Sequence, residues 1–252
     1  MLYKIITLAR HNTLINRALR KLKKITGIKQ TTNADLVRKY VKGKSFADVG
    51  ALWGVNGLNS FIAEESGAGK VTAVDIYPES PKFIEEKNKR NSNIGFVQGD
   101  IHQSSTTDAI GVCDVVLCSG VLYHTPDPIH LLTRLRAICG ETLILNTASI
   151  PEVPGMKNVA VLYPFLDENQ RKIWNRKMTS QIGITTPYEP EEGYANWFWG
   201  MTPSSIESML KCAGFEVIKK FISPFDSIFV CKTAPVKLSA SSGEWTLPKS
   251  RA

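Results

Sequence analysis

A doubly wound α/β sheet is the fold the sequence predicts: seven strands, mostly parallel, with a C-terminal antiparallel hairpin and an inserted lid. Three observations predict it. From residue 33 onward, short apolar runs alternate with helical patterns, as a parallel sheet with crossover helices requires. The last two strand-like runs, EVIKKFIS and DSIFVCKT, are separated only by a turn at Pro224 to Asp226, so they form a hairpin. The chain has 252 residues, 43% of them hydrophobic, which is enough for one large core.

The elements follow in order. Asn33 or Asp35 caps a short helix through Tyr40. SFADVG, 45 to 50, is strand one, and a helix follows through about Ser66. KVTAVDI, 70 to 76, is strand two, and the charged helix PESPKFIEEKNKRN leads to strand three, IGFVQGD, 94 to 100. A polar connection leads to strand four, CDVVLCSG, 113 to 120. The helix IHLLTRLRAICG precedes strand five, ETLILNTAS. Residues 150 to 201 are too many for an ordinary strand-to-helix connection and read as the insert. It holds a helical pattern, PFLDENQRKIWNRKM, and then the aromatic run YEPEEGYANWFWG. TPSSIESMLKCAGF is a capped helix ending at Gly214, before the final hairpin. The division is a basic amphipathic helix in 1–30, a main domain over 31–233 with its lid at 150–201, and a flexible tail over 234–252.

Composition excludes several classes. No apolar run is long enough to span a bilayer and no signal peptide is evident, so a cytoplasmic location is expected. The five cysteines form no C-x-x-C pair, and neither a metal site nor a disulfide framework is expected. The net charge of +8 belongs to the first 30 residues, which carry eight basic side chains and no acid, leaving 23 basic and 23 acidic residues in the remainder. Leu22 and Ile25 continue an apolar stripe through this segment, so it reads as a basic amphipathic helix. Such a helix suits RNA phosphates, an anionic membrane surface or an acidic partner, or packs on the main domain with its basic face solvated.

The turn after strand one, DVGALWG, carries the chemistry. A pyrophosphate-binding turn wants G-x-G-x-x-G, and here Leu52 and Val55 occupy the second and third glycine positions. What remains is Asp48, Gly50 and Gly54, a turn with room for a small ligand and a carboxylate able to face a cation. A ligand bearing an α-amine and a sulfonium would suit it. Asp75 ends strand two, where a carboxylate can accept both hydroxyls of a ribose. Asp100 ends strand three, where it can take an adenine amino group while Ile76 and Ile101 lie against the ring. Three acids at three adjacent strand ends converge on one crevice.

At these residues the chain resembles a class I S-adenosylmethionine-dependent methyltransferase over roughly residues 33 to 233, which implies a Rossmann-like fold and S-adenosyl-L-methionine as cofactor. The resemblance implies DVGALWG, with Ala51, as the methionine-binding loop, VDI as the ribose site and GDI as the adenine site, with Ser119 and Gly120 completing the set at the end of strand four. A narrower resemblance appears at CSGVLYHTPDPIHLL, which is similar to the methyltransferase-like group that includes the tRNA wobble-uridine, carboxymethoxyuridine-forming enzymes. There the matching tyrosine, Tyr123, would help bind the carboxylate of carboxy-S-adenosylmethionine. The chain departs from that group in lacking its large N-terminal extension and in having no arginine in DSIFVCKT, so ordinary methyl transfer is expected.

His124 and Tyr123 follow strand four and are the catalytic candidates, His124 as a base for an oxygen or nitrogen acceptor. His102 is expected nearer the adenine, His130 on a helix surface and His11 in the arm. In the insert, Tyr194, Trp197 and Trp199 are candidates for stacking on an acceptor, or for filling the insert's own core. Alternation puts the two tryptophans on one face. The expected function is methyl transfer to a small-molecule or glycan-type acceptor, with an RNA-modifying methyltransferase or a non-catalytic adenosylmethionine-binding protein as alternatives. The sequence leaves the oligomeric state open.

Overall fold

Strands buried on both faces need apolar side chains at odd and even positions alike, and the central strands have them. The computed structural model describes residues 31–162, 199–223 and 226–235. In chain order they form α1 (Asn33–Tyr40), β1 (Ser45–Val49), α2 (Leu58–Glu65), β2 (Lys70–Asp75), α3 (Pro81–Arg90), β3 (Gly95–Gln98) and α4 (Ser104–Ile110). Then come β4 (Cys113–Ser119), a single 3-10 turn at Leu122–His124, α5 (Pro128–Ile138), β5 (Cys139–Ala148), β6 (Ala160–Leu162), β7 (Trp199–Met201), α6 (Pro203–Cys212), β8 (Phe215–Ser223) and β9 (Asp226–Thr233).

Seven of the strands make one sheet in the order β3-β2-β1-β4-β5-β9-β8. The first five are parallel, and β9 runs antiparallel to both β5 and β8. The fold is therefore the doubly wound, Rossmann-like sheet the sequence predicts. Alternation along each strand divides the core in two. Ala47, Val116, Leu143 and Phe229 face α4, α5 and α6, whereas Phe46, Leu117, Ile144 and Val230 face α1, α2 and α3.

Several boundaries differ from the sequence reading. Residues 104–110, read as a polar connection, form α4. Its Ser and Thr are weak helix formers, and burial of Thr106, Thr107 and Ile110 decides the matter. Neither Asn33 nor Asp35 caps α1: Thr32 does, with Asp35 closing a capping box, so Asn33 is freed for the cleft. Cys139 and Gly140 belong to β5, not to the helix before it. Of the insert, the described ends close on each other as the two-stranded sheet β6-β7. Its helical stretch, the basic arm, the tail beyond residue 235 and the hairpin tip at 224–225 lie outside the described residues. No described helix is long and apolar enough to cross a membrane.

Candidate active site

The strand order reverses at β1, which lies between β2 and β4, and a cleft of about 720 Å³ opens there over the carboxyl ends of the strands. That volume falls within the range of about 300–1,000 Å³ usual for small-molecule sites. The floor is the turn after β1. Gly50 sits at φ +81°, and a Cβ there would come within 2.6 Å of the Val121 side chain, so this turn and the one after β4 pack hard against each other. Gly54, at φ +69°, lines the cleft with nothing within 4 Å of where its Cβ would be. The left-handed backbone, rather than crowding, calls for glycine there.

Leu52 stands where a second glycine would be expected, and the structure shows why it fits. Its backbone N–H donates to Asp75 Oδ2 at 2.8 Å. Its side chain is buried in the core beneath, away from the cleft. Trp53 and Tyr77 line the mouth above, 60% and 40% exposed, with ring centroids 5.9 Å apart.

The predicted acids do not share one environment. Asp75 lines the cleft and is nearly buried. Its two oxygens accept from Leu52 N–H and, at 3.1 Å, from Tyr77 N–H. Each oxygen keeps a further lone pair, as a bidentate acceptor for a diol requires. Ile76, Gly99 and Ile101 continue the same wall. Asp48 does not line the cleft. It shares the face of β1 that carries Phe46 and so faces α2, where it accepts from Ser60 Oγ at 2.8 Å. Burial, only partly offset by that hydrogen bond, raises its pKa to about 7. Ala51 is likewise buried in the core, and Asp100 turns back to accept from His102 N–H at 2.8 Å. Neither is among the lining residues.

The other end of the cleft lies over β4, β5 and β9. Ser119, Gly120, Tyr123 and His124 line it, as the sequence suggested for this turn. The Tyr123 and His124 rings stack with centroids 4.2 Å apart. Burial pushes the Tyr123 phenol well above its ordinary pKa, and the nearby Asp226 pushes it further, so the phenol keeps its proton. Three residues that the motifs did not reveal join them: Asn33, Asn146 and Asp226. Asn146 Nδ2 donates to Asn33 Oδ1 and Asn33 Nδ2 donates to Ser119 Oγ, both at 3.0 Å. Nothing in the local sequence marks this chain of bonds, because its members are brought together from three distant elements.

Trp199 is not in the cleft. Its indole N–H donates to the Thr125 carbonyl at 2.9 Å and its ring packs on the core, so its role is to hold the turn after β4. Tyr194 and Trp197 lie outside the described residues, as does His11. His130 is not simply on the helix surface: it meets His102, Nδ1 to Nδ1, at 2.9 Å. Arg134 Nε donates to His130 Nε2 at 3.1 Å, which leaves the His130 proton on Nδ1 to be donated to His102. His102 then carries its own proton on Nε2, toward Thr125 Oγ1 at 2.6 Å. Burial lowers the His102 pKa, against the opposing charge of Asp100, so His102 is neutral near pH 7. This chain of donors ties the residue beside Ile101 to the turn bearing His124.

Residues 47–140, which carry the glycine turn, Asp75 and the turn after β4, match the family model Methyltransf_11, a methyltransferase domain. Fold and matched domain together indicate an S-adenosylmethionine-dependent methyltransferase. The chain is an enzyme of that kind, with S-adenosylmethionine as methyl donor. No curated protein matches it in sequence. Solved structures share its fold at low identity. The N-terminal domain of EvdMO1, crystallised in the presence of S-adenosylhomocysteine and D-fucose, is similar at 18% identity and TM-score 0.55 over 80% of this chain and 82% of that one. The Burkholderia thailandensis 1,6-didemethyltoxoflavin-N1-methyltransferase is similar at 13% identity and TM-score 0.55, covering 92% and 90% of the two chains. Magnesium protoporphyrin IX methyltransferase from Synechocystis PCC 6803 is similar at 17% identity and TM-score 0.50, covering 92% and 99%.

Proposed function

We propose that the enzyme methylates a small-molecule or glycan-type acceptor, held at the end of the cleft formed by Asn33, Ser119, Tyr123, His124, Asn146 and Asp226. The observation that carries this reading is that the cleft is long. It runs from Asp75 on β2 to Asp226 on β9, four strand spacings or about 19 Å, so one end is left over once a nucleoside occupies the other. The neighbours crystallised with D-fucose and with 1,6-didemethyltoxoflavin support acceptors of this size.

In this reading Asp75 receives the ribose hydroxyls, Ile76 and Ile101 flank the adenine, and Gly50, Gly54, Ser119 and Gly120 border the amino-acid portion. Asp48, Ala51 and Asp100 act at one remove, by holding the turns that carry those residues. S-adenosylmethionine, when bound, supplies a methyl group on a good leaving group, so placement and water exclusion are most of what the protein must contribute. His124 accepts the acceptor's proton as the new bond forms, and Tyr123 positions the imidazole by stacking against it.

The test is mass spectrometry of metabolite extract incubated with the enzyme and an isotopically labelled methyl donor, beside a parallel incubation with total RNA. A labelled small molecule is the expected product. Label confined to RNA, with binding that weakens steeply with salt and is lost on deleting residues 1–30, would replace this reading with RNA modification.

A further inference from the structure

We infer that the outer rim of the cleft is a docking surface for an anionic lipid bilayer, with Trp53, Val55, Leu58 and Tyr77 entering the interface and the cationic segment 1–30 drawing the protein to it. This goes beyond the methyl-transfer reading and does not depend on it. Among the described residues ten large hydrophobic side chains are exposed, and these four line one mouth. Trp53 is 60% and Leu58 52% exposed. Single exposed apolar side chains are ordinary on a protein surface, whereas a cluster of them around a cleft marks a contact surface.

The rim is a built structure. Ser80 Oγ donates to Asn56 Oδ1 at 3.0 Å, which joins the turn after β1 to the start of α3. Gly57 N–H donates to the Ala51 carbonyl at 2.7 Å and closes that turn on itself. Gly57 sits at φ +76°, and a Cβ there would collide with the Phe83 ring, so the turn rests directly on α3. Leu58 then opens α2 outside the stripe of Phe61, Ile62 and Ala63 that the core takes. Trp53 and Tyr77 stand beside each other, and rings with an apolar body and a polar tip favour the boundary between lipid and water.

The charge of the partner follows from the sequence. Residues 1–30 hold eight Lys and Arg and no acid, while the remainder of the chain balances. That segment joins the described fold at Thr31, which with Thr32 lines the same cleft. Eight cations are thus tethered at an apolar rim. An anionic bilayer satisfies both features, since its surface potential attracts the cations and its acyl boundary takes the apolar side chains out of water. RNA would use the cations and stack on Trp53, but it offers nothing to Val55 and Leu58.

The test is co-sedimentation of the full chain with vesicles of phosphatidylcholine alone or of phosphatidylcholine mixed with phosphatidylglycerol, with thermal unfolding run on each variant to establish that it is folded. The wild type is expected to bind the mixed vesicles at least about a hundredfold more tightly than the neutral ones, and less tightly as salt is raised. Trp53→Ser and Leu58→Ser, made singly and together, replace exposed side chains and leave the core filled; the pair should weaken binding to mixed vesicles about tenfold or more. The triple variant Lys21→Gln, Lys23→Gln, Lys24→Gln should cut the preference for anionic lipid about tenfold or more. Ile222→Ser, at an exposed apolar position on β8 away from the cleft, should leave vesicle binding unchanged. Equal binding to both kinds of vesicle overturns the inference, as does a folded rim variant that binds like wild type or an Ile222→Ser loss as large as that of the rim pair. Binding to RNA without binding to vesicles at the same salt assigns the cations to RNA and overturns it too. So does a dimer, seen by light scattering, that the rim variants disperse, because the rim would then be covered by a second copy of the chain.

Discussion

The two ends of the cleft are built differently. In the proposed reading the donor end comes from strand ends and the turns directly after them: Gly50, Trp53 and Gly54, then Asp75 to Tyr77, then Gly99 and Ile101. The proposed acceptor end is assembled from α1, the turn after β4, the end of β5 and the start of β9, with Asn33 and Asn146 meeting across 113 residues of sequence. A ligand part common to a whole class can be held by short motifs on a shared scaffold. The acceptor has to be read by residues that the scaffold merely brings near one another.

Four experiments would break or sharpen that division. The largest effect is expected where a motif residue proves to belong to neither end. Asp48 has a folded pKa of about 7 against an ordinary 3.8, so its favourable contribution is complete below 3.8 and is lost as pH rises toward 7. In Asp48→Asn that loss disappears. The variant should gain stability over wild type across this window, reaching on the order of 4 kcal/mol at pH 8, since each tenfold difference in proton affinity between folded and unfolded chain is worth about 1.36 kcal/mol. Urea unfolding at pH 5, 6, 7 and 8 checks it. Curves that stay parallel would place the charge in solvent or in the cleft after all.

Next comes His124→Ala, which should lower kcat by about 10²-fold or more and remove the acidic limb of its pH profile, while S-adenosylhomocysteine affinity stays near wild type. A joint fall in affinity and Tm would instead make His124 a loop-shaping residue. At the opposite end, Asp75→Ala should weaken S-adenosylhomocysteine binding by about 1.5–3 kcal/mol, the scale for hydrogen bonds to a charged group. Calorimetry reads it, and unchanged affinity would remove Asp75 from the ribose site. The smallest effect belongs to Asn33→Ala, which deletes two neutral side-chain bonds worth about 0.5–1.5 kcal/mol each. It should raise KM for the acceptor and spare donor affinity; a change in donor affinity alone would show that the two ends are not separable.

What could be read from sequence follows the same line. Seven strands, their order of appearance and the residues at the ends of β1, β2 and β4 are local patterns, and apolar runs bounded by glycine and aspartate declare them. Asp75 is such a case. Asp48 looked equivalent, but one step of alternation along β1 sends it into the core, and no spacing argument shows which face a helix will cover. Helix α4 was hidden because serine and threonine disfavour helices in isolation. Asp226 was hidden because only the pairing of β9 with β5, a contact made late in the chain, brings it to the cleft. Trp199 had the composition of a substrate platform and serves as a strut.

Leu52 has one more consequence. Because its side chain is held in the core and its N–H is bonded to Asp75, the turn over residues 50–57 takes its shape when the chain folds, whether or not a ligand is present. A flexible glycine at that position would have to be ordered each time a donor arrived, at about 1–2 kcal/mol per residue fixed. Here that entropy is surrendered once, in folding, and each binding event begins from a rigid receptor. The missing glycine thus exchanges adaptability in the turn for readiness.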